Sequence, residues 1–427
     1  MTSAKAINNK KNLSVGDLFA GAGGLAVGFH LAGFHPVFFN EIDEQAAATF
    51  HANFPRSTPF VCPIEDLTGE IIRTQSQLDG DEMDVMVGGP PCQGFSINAP
   101  TRSETDPRNH LFRHYVRLVL EGIRPKFVVM ENVPGLLSLE NGKVLRNVIA
   151  AFEQAKYKVA FKILNAAHYG VPQERWRLIF VGTRLRDVSP SFPTPTHYSL
   201  QRANFTGGSE FTFTHAIGAP AQGDLFFGKL KPPSSVREAI GDLPPIKSGG
   251  GKMEMAYDRV AESDYQRMMR KGAGKLYNHE CVGLSSINFQ RLKYIKPGGS
   301  WRDIPHHLLP RGLQRARRSD HTRRYGRLNP NTPSCTIMTK CDPHWGTFIH
   351  YRQNRIISVR EAARIQSFPD WFQFTGSKND QYRQVGNAVP PLLAWALARH
   401  IKELILKSEH ARESPRKESL AYAASER

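Results

Sequence analysis

The stretch LSVGDLFAGAGGLAVG, residues 13–28, decides the fold. Residues 13–19 alternate like a buried strand, and the glycines that follow break that strand. A strand that passes through a glycine-rich turn into a helix is typical of nucleotide-binding α/β folds. The turn lets a ligand approach the backbone closely, and the helix start offers free N–H groups. The stretch therefore predicts an α/β domain with a ligand at Gly21 and Gly23.

An acidic residue ends the second predicted strand, residues 37–41. Glu41 follows Gly21 by 20 residues, the spacing at which a carboxylate at the end of the second strand binds ribose hydroxyls. Asp43 is a neighbouring alternative. Asp66, in a short third element at residues 61–67, is placed to contact an adenine ring in the same crevice. The spacing favours ligand binding over a solvated surface acid.

A rigid turn follows another apolar run, residues 85–87, and reads GGPPCQGFS over residues 88–96. Two glycines and two prolines force the chain out of the strand and present the thiol of Cys92. A thiol at the carboxyl end of a buried strand is where an α/β enzyme places a nucleophile. The alternative is a buried, inert cysteine, but such cysteines lie inside apolar runs.

The predicted strand at residues 127–130 ends at Glu131. Phe19 with Gly21, Glu41, Cys92 and Glu131 thus each follow a different apolar strand. The carboxyl ends of parallel strands share one edge of an open sheet, and ligands bind there. We therefore expect these residues to lie together.

The charge of the chain is unusual for its ordinary globular composition. Its 427 residues carry 56 Lys and Arg against 39 Asp and Glu, a net charge of +17. This excess favours a polyanionic partner, with nucleic acid ahead of an anionic membrane surface. Residues 291–330 contain eleven Lys or Arg and two Asp, mixed with aromatic residues. We interpret that segment as a nucleic-acid contact rather than a solvated charged face.

The cysteines and the N-terminus suggest an intracellular protein. Five irregularly spaced cysteines do not form a disulfide framework, and this favours a reducing compartment. Cys335, Cys341 and His344 lack the usual zinc spacings, so no metal is expected. No signal peptide or membrane-length apolar run is visible, so we expect a cytoplasmic protein.

Six motifs together resemble the DNA cytosine-C5 methyltransferase family of bacterial restriction–modification systems. The resemblance covers residues 14–182 and 355–400. The motifs, in the family's order, are DLFAGAGG (17–24), PPCQGFS (90–96), ENV (131–133), QERWR (173–177), REAAR (360–364) and GNAVP (386–390).

The resemblance implies a fold and a division into domains. The fold is a Rossmann-like, mostly parallel, doubly wound α/β domain that binds S-adenosylmethionine. This catalytic domain is discontinuous and spans residues 12–185 and 355–406. A smaller, loop-rich target-recognition domain occupies residues 186–354, and residues 1–11 and 407–427 are expected to be flexible tails.

The resemblance also implies a reaction. The Cys92 thiolate adds to C6 of a flipped-out cytosine, and Glu131 assists with a proton at N3. C5 then takes the methyl group, after which a proton and the thiolate leave. Arg175 matches an arginine that steadies the base and the activated ring, and Arg177 matches its structural partner.

Further positions match cofactor and DNA contacts of the family. The expected cofactor contacts are Phe19, Gly21, Gly23, Gly24, Glu41, Asp66, Pro90 and Asn387. The expected DNA contacts are Gln93, Ser96, Arg317, Arg318, Arg323, Arg324 and Thr336. The expected partners are double-stranded DNA and, where one exists, a cognate restriction endonuclease. The protein is expected to be a monomer that associates with the nucleoid through its binding to DNA.

Three alternatives remain open at this point. A tRNA cytosine-C5 methyltransferase of the same lineage would keep the fold, but the long basic segment favours duplex DNA. A nucleic-acid-binding protein without catalysis would not need Cys92, Glu131 and Arg175 together. A dinucleotide-dependent oxidoreductase would explain the glycine turn and leave the Pro-Pro-Cys turn unexplained.

Overall fold

The computed structural model describes residues 13–78, 82–91, 111–199 and 230–425. Three residues that the sequence singled out, Cys92, Gln93 and Ser96, lie outside these ranges. Within them, a large sheet flanked by helices confirms the predicted α/β class.

Seven strands form the main sheet. They are β1 (Leu13–Leu18), β2 (Phe34–Asn40), β3 (Thr58–Phe60), β4 (Val85–Gly88), β5 (Phe127–Asn132), β6 (Lys158–Asn165) and β7 (Trp176–Thr183). Their order is β3-β2-β1-β4-β5-β7-β6, and all pairs are parallel except those that β7 makes with β5 and β6. The direction of the strand order reverses between β1 and β4, and such a reversal opens a crevice at the carboxyl ends of the strands.

Helices cover both faces of this sheet. They are α1 (Gly24–Leu31), α2 (Glu44–Asn53), α3 (Gly69–Gln75), α4 (Leu111–Leu118) and α5 (Lys143–Gln154). The central strands are continuous apolar runs because side chains on both faces are buried. Val85 and Val87 pack into one core cluster, whereas Met86, between them, packs into the other.

The loop-rich part of the chain contains short elements. They are α6 (Val236–Ile240), β8 (Gly251–Met255), α7 (Asp264–Arg270), β9 (Leu276–Glu280), α8 (Ser286–Leu292), α9 (Arg311–Gln314), β10 (Gly326–Arg327) and β11 (Thr347–Ile349). The first pair of strands, β8 and β9, is antiparallel, and β10 pairs with β11 in parallel.

The chain then returns to the main sheet through α10 (Val359–Ile365), α11 (Lys378–Asn387) and α12 (Pro391–Ser425). The capping box predicted at Ser358 and Glu361 is present at the start of α10. The last helix packs closely on α1, because a Cβ atom at Gly28 would overlap the side chain of Ala394 and the carbonyl oxygen of Pro391. The C-terminal helix therefore supports the helix that follows the glycine turn.

The chain beyond Leu406 differs from the expectation of a flexible tail. The helix continues to Ser425, and Ser408 on it is buried. Arg412 forms an ion pair with Asp187 at 3.1 Å, and Glu409 lies 3.2 Å from the Lys126 amine. These contacts attach residues 407–412 of the helix to Lys126, directly before β5, and to the loop after β7. Among the helices in the described ranges, none is long and apolar enough to cross a membrane.

Candidate active site

Three of the residues predicted from strand ends, Phe19, Glu41 and Glu131, lie at one edge of the sheet, whereas Cys92 lies outside the described residues. Leu18 of β1 pairs with Asn40 of β2 and with Gly88 of β4, and Gly88 pairs with Met130 of β5. The residues that follow these paired positions therefore lie side by side at the carboxyl edge of the sheet. They are Phe19, Glu41, Gly89 and Glu131. Glu131 is the penultimate residue of β5 rather than the first residue beyond it.

The glycine turn has an unusual backbone conformation. Gly21 has a φ angle of +55°, and a Cβ atom there would meet nothing within 4 Å. Gly23 has a φ angle of 97° and is the N-cap of α1. A Cβ atom at Gly24 would overlap the carbonyl oxygen of Val389. The first glycine thus opens onto space where a ligand can approach, and the third allows the C-terminal segment to pack against α1.

Glu41 is bound to the glycine turn. Its Oε2 accepts a hydrogen bond from the Gly21 N–H at 2.7 Å, and its Oε1 accepts one from the Asp43 N–H at 2.8 Å. Burial raises the pKa of Glu41, while these two N–H groups lower it. The alternative carboxylate, Asp43, caps α2 and pairs with Arg383 at 2.8 Å. The geometry therefore favours Glu41 as the carboxylate of the crevice.

Two exposed apolar side chains near Glu41 were not predicted. Ile42 and Val61 are 67% and 47% exposed, although both are aliphatic. They follow neighbouring strands, since the Glu41 N–H donates to the carbonyl oxygen of Phe60 at 3.2 Å. The predicted cofactor residue Asp66 is exposed and ends a 3₁₀ turn at Ile64–Asp66. The signal that could have identified Ile42 and Val61 is an apolar residue directly after a strand end.

A buried carboxylate lies unpartnered beneath the turn. Asp17 on β1 is 1% exposed, and neither of its oxygens has a hydrogen-bond partner in the described part of the chain. Burial raises its pKa from 3.8 to about 8, with a smaller upward contribution from Glu41. The Ala26 N–H lowers the pKa but lacks the geometry of a hydrogen bond. The Asp17 side chain is therefore stable in its neutral form near neutral pH.

The acid of the site, Glu131, forms an ion pair with one arginine, Arg177. The Nε of Arg177 lies 2.7 Å from Oε1 of Glu131, and each side chain is 14% exposed. The antiparallel direction of β7 makes this contact possible, because its first residues lie beside the last residues of β5. Burial lowers the pKa of Arg177, and Glu131 opposes this effect.

The loop that leads to Cys92 is attached to the end of β5. A Cβ atom at Gly89 would lie 3.1 Å from Oε2 of Glu131, so this carboxylate oxygen lies over the loop backbone. The side-chain amide of Asn132 donates to the carbonyl oxygen of Pro90 at 3.1 Å. Glu131 and Asn132 therefore fix the start of the segment that carries Cys92, although Cys92 itself lies outside the described residues.

The two arginines of the QERWR motif make different contacts. Arg175 is 2% exposed and donates to the carbonyl oxygens of Ile337 at 3.1 Å and of Gly386 at 2.8 Å. Arg175 therefore joins the strand to two distant segments, whereas Arg177 contacts Glu131. That Arg175 steadies the base and that Arg177 is its structural partner remain predictions, and the contacts show only that Arg177 is the arginine paired with Glu131.

The residues around Arg175 are held by the chain that returns from the loop-rich part. Gln173 accepts a hydrogen bond from the Ile337 N–H at 2.9 Å, and the Glu174 N–H donates to Ser334 at 2.8 Å. The hydroxyl of Thr336, a predicted DNA contact, donates to the carbonyl oxygen of Glu174 at 2.8 Å and is half-buried. Thr336 thus lies beside Glu174, in the QERWR motif that carries the two arginines.

The basic segment divides into exposed and buried cations. Arg317, Arg318 and Arg323 are exposed, and Arg324 is half-buried. Arg327 is buried and donates to carbonyl oxygens, including that of Ile295. Buried cations of this segment, such as Arg327, therefore stabilise the fold. From the sequence alone, the positive charge of the whole segment is expected to contact nucleic acid.

The parallel strand order, with a carboxylate bound to the glycine turn at its carboxyl edge, defines an α/β protein of the Rossmann-like class. A half-buried Glu–Arg pair, Glu131 and Arg177, lies at the carboxyl end of a neighbouring strand. Both features belong to one sheet edge at the topological switch point.

The chain belongs to the C-5 cytosine-specific DNA methylase family, whose model matches residues 13–403. It is 35% identical to the Type II methyltransferase M1.HphI of Haemophilus parahaemolyticus, over 92% of this chain and 86% of that protein. It is 33% identical to the Type II methyltransferase M.AgeI of Thalassovita gelatinovora, over 91% of this chain and 99% of that protein. The family predicted from the six motifs is confirmed.

Solved structures give the same result for the fold. A DNA modification methyltransferase encoded within an E. coli prophage superposes with a TM-score of 0.68 at 26% identity, covering 92% of this chain and 99% of that chain. A DNMT2 of Spodoptera frugiperda, at 16% identity and a TM-score of 0.54 over 91% of this chain and 99% of that chain, shares the fold alone.

Proposed function

We propose that the protein transfers a methyl group from S-adenosylmethionine to C5 of cytosine in duplex DNA. The observation that carries this proposal is the Glu131–Arg177 pair, whose carboxylate lies against the backbone of Gly89, three residues before Cys92. An acid, a cation and a thiol-bearing loop at one sheet edge suit addition to a pyrimidine ring. The family membership supplies the substrate class.

The crevice fits the cofactor. Gly21 leaves open space at the turn, and the Glu41 carboxylate lies beside it with lone pairs left for a ribose diol. Ile42 and Val61 offer exposed apolar surface for a flat purine. When bound, the cofactor supplies an electrophilic methyl group on a sulfonium. Asn387 and Asp66 are exposed and complete the proposed contacts.

The chain's own residues perform the remaining chemistry. The Cys92 thiolate forms a bond to C6, and the electron pair moves toward C5, which is otherwise too weak a nucleophile. Glu131 shares a proton with N3, where negative charge develops, and Arg177 orients Glu131 through the contact of its Nε with Oε1. After C5 is methylated, its proton leaves, the C6–sulfur bond breaks and the thiolate is regenerated.

The proposed division of labour follows the contacts. Residues 12–185 and 355–406 form the catalytic domain, supported by the packing of Ala394 on Gly28. Residues 186–354 carry target recognition, with Arg317, Arg318 and Arg323 exposed for phosphate contacts. A cognate restriction endonuclease, a monomeric state and an intracellular location beside DNA complete the proposal, in keeping with the bacterial Type II relatives.

A methyl-transfer assay tests the function. Methyl-labelled S-adenosylmethionine is supplied with plasmid duplex DNA, the same DNA as single strands, or tRNA. We expect label in duplex DNA, with Cys92→Ser inactive and its cofactor affinity retained. Label confined to tRNA would favour the tRNA methyltransferase, and no transfer would support a binding protein without catalysis.

A further inference from the structure

Trp345 is unusual among the tryptophans of the chain. The sequence contains five, and all of them fall within the described ranges. Trp345 is 57% exposed, whereas Trp176, Trp301, Trp371 and Trp395 are buried or half-buried. A single exposed ring is ordinary on a protein surface, so the meaning of Trp345 depends on how the ring is held and on what surrounds it.

The turn that carries Trp345 is braced by hydrogen bonds. The Trp345 N–H donates to the carbonyl oxygen of Asp342 at 3.0 Å, and Oδ1 of Asp342 lies 2.8 Å from Nδ1 of His344. The other ring nitrogen of His344 lies 2.6 Å from the Tyr325 hydroxyl, and the Tyr325 N–H donates to Pro343 at 2.6 Å. The ring is therefore presented by a fixed turn rather than by a loose loop, which reduces the entropic cost of binding.

The surroundings of this ring are cationic. The guanidinium of Arg324 lies 5.7 Å from the centroid of the Trp345 ring. Arg317, Arg318 and Arg323 are exposed on the same short stretch of chain, where Asp320 is the one acidic residue between positions 311 and 327. An isolated ring among arginines suits a polyanion that has flat apolar groups. It does not suit a protein partner, which needs a larger apolar core.

We propose that Trp345 and Arg324 form a contact surface for duplex DNA, in which Arg324 binds a phosphate and Trp345 packs on a base or sugar. The choice of duplex DNA as the partner of this surface rests on the proposed function. The two side chains make separable contributions. A phosphate contact releases counterions and depends on salt, whereas an aromatic contact does not.

Tryptophan emission tests the contact without requiring turnover. A mixed-sequence DNA duplex is titrated into the full-length protein at low salt. We expect the emission to be quenched in the wild type and in Trp395→Phe, and the quenching to be lost in Trp345→Phe. Trp395 is the matched control, because it also lies against an arginine, Arg399, at 4.9 Å, but on α12. Unchanged emission of the wild type with bound DNA would overturn the proposal.

Salt dependence separates the two roles. We expect Trp345→Ala to weaken duplex binding about tenfold with the slope of log affinity against log salt unchanged. Arg324→Ala should reduce that slope by about 1. Trp345 is exposed and Arg324 is half-buried, and circular dichroism checks that each variant is folded. Full affinity of folded Trp345→Ala would refute the contact. If the protein methylates duplex DNA but DNA does not quench the Trp345 emission, the contact surface is wrong and the proposed function stands. If DNA quenches the Trp345 emission but no methyl group is transferred, the proposed function is wrong and the contact surface stands.

Discussion

Arg177 on β7 binds Glu131 at 2.7 Å, while Arg175, directly before β7, donates to the carbonyl oxygens of Ile337 and Gly386. One arginine is thus placed at the acid of the site. The other joins three segments that are far apart in the sequence. The two contacts lead to different expectations for substitution.

Replacing Arg177 should damage catalysis more than folding. Without this cation, Glu131 loses the partner that orients it, and we expect Arg177→Ala to lower kcat on DNA about a hundredfold. Arg175→Ala should instead lower the free energy of unfolding by about 3 kcal/mol, since it leaves buried carbonyl groups unpaired. Methyl-transfer kinetics and urea unfolding of the two variants measure these effects. A stable, fully folded Arg175→Ala with wild-type unfolding would contradict the assignment.

Gly89 should be sensitive to a single added methyl group. A Cβ atom there lies 3.1 Å from Oε2 of Glu131, closer than ordinary contact, so the carboxylate must move. We expect Gly89→Ala to lower kcat about tenfold, with little change in cofactor affinity. Gly274→Ala is the control, because a Cβ atom at that position meets nothing within 4 Å. Equal activity of the two variants would show that Glu131 does not need its present position.

Glu41 should control cofactor affinity alone. Its carboxylate binds the N–H groups of Gly21 and Asp43 and faces the proposed ribose position. Glu41→Gln keeps the size of the side chain but replaces one acceptor oxygen with a donor, and we expect it to raise the Kd for S-adenosylmethionine about tenfold. Isothermal titration calorimetry measures the change, with duplex affinity as the internal control. An unaltered Kd would remove Glu41 from the cofactor site.

Asp17 should make stability depend on pH. Its pKa is raised to about 8 in the folded chain from an ordinary 3.8, so the folded state holds more protons than the unfolded state between these values. Stability from this group is therefore complete below about pH 4 and is lost as the pH rises toward 8. We expect Asp17→Asn to flatten the decline of the free energy of unfolding over that range in urea titrations. If the free energy of unfolding falls equally with pH in the variant and in the wild type, Asp17 does not have the raised pKa.

Much of the fold and of the site edge could be predicted because strand ends leave local signals. The glycine turn, Glu41 and Glu131 each follow an apolar run. The capping box at Ser358 and Glu361 is recognisable from a stretch of four residues. Such features depend on neighbours in the sequence. The family itself was identifiable from six short motifs, and the match over residues 13–403 confirms it.

The remaining features depend on contacts between distant residues. The contact of Arg175 with Gly386 spans 211 positions, and nothing near Arg175 indicates which carbonyl group it binds. The antiparallel direction of β7 decides that Arg177 lies next to Glu131, and periodicity cannot give strand direction. The extension of α12 depends on partners such as Asp187, while the charged composition after Leu406 suggested a tail.

The central claim is that the Cys92 thiol attacks the cytosine ring. Its most direct test is covalent trapping with duplex DNA that contains 5-fluorocytosine, in the presence of S-adenosylmethionine. Fluorine cannot leave as the C5 proton does, so the adduct persists and peptide mass spectrometry locates it. We expect a protein–DNA adduct at Cys92 that is absent in Cys92→Ser. An adduct at Cys335 or another cysteine, or no adduct under conditions where DNA is methylated, would contradict the claim.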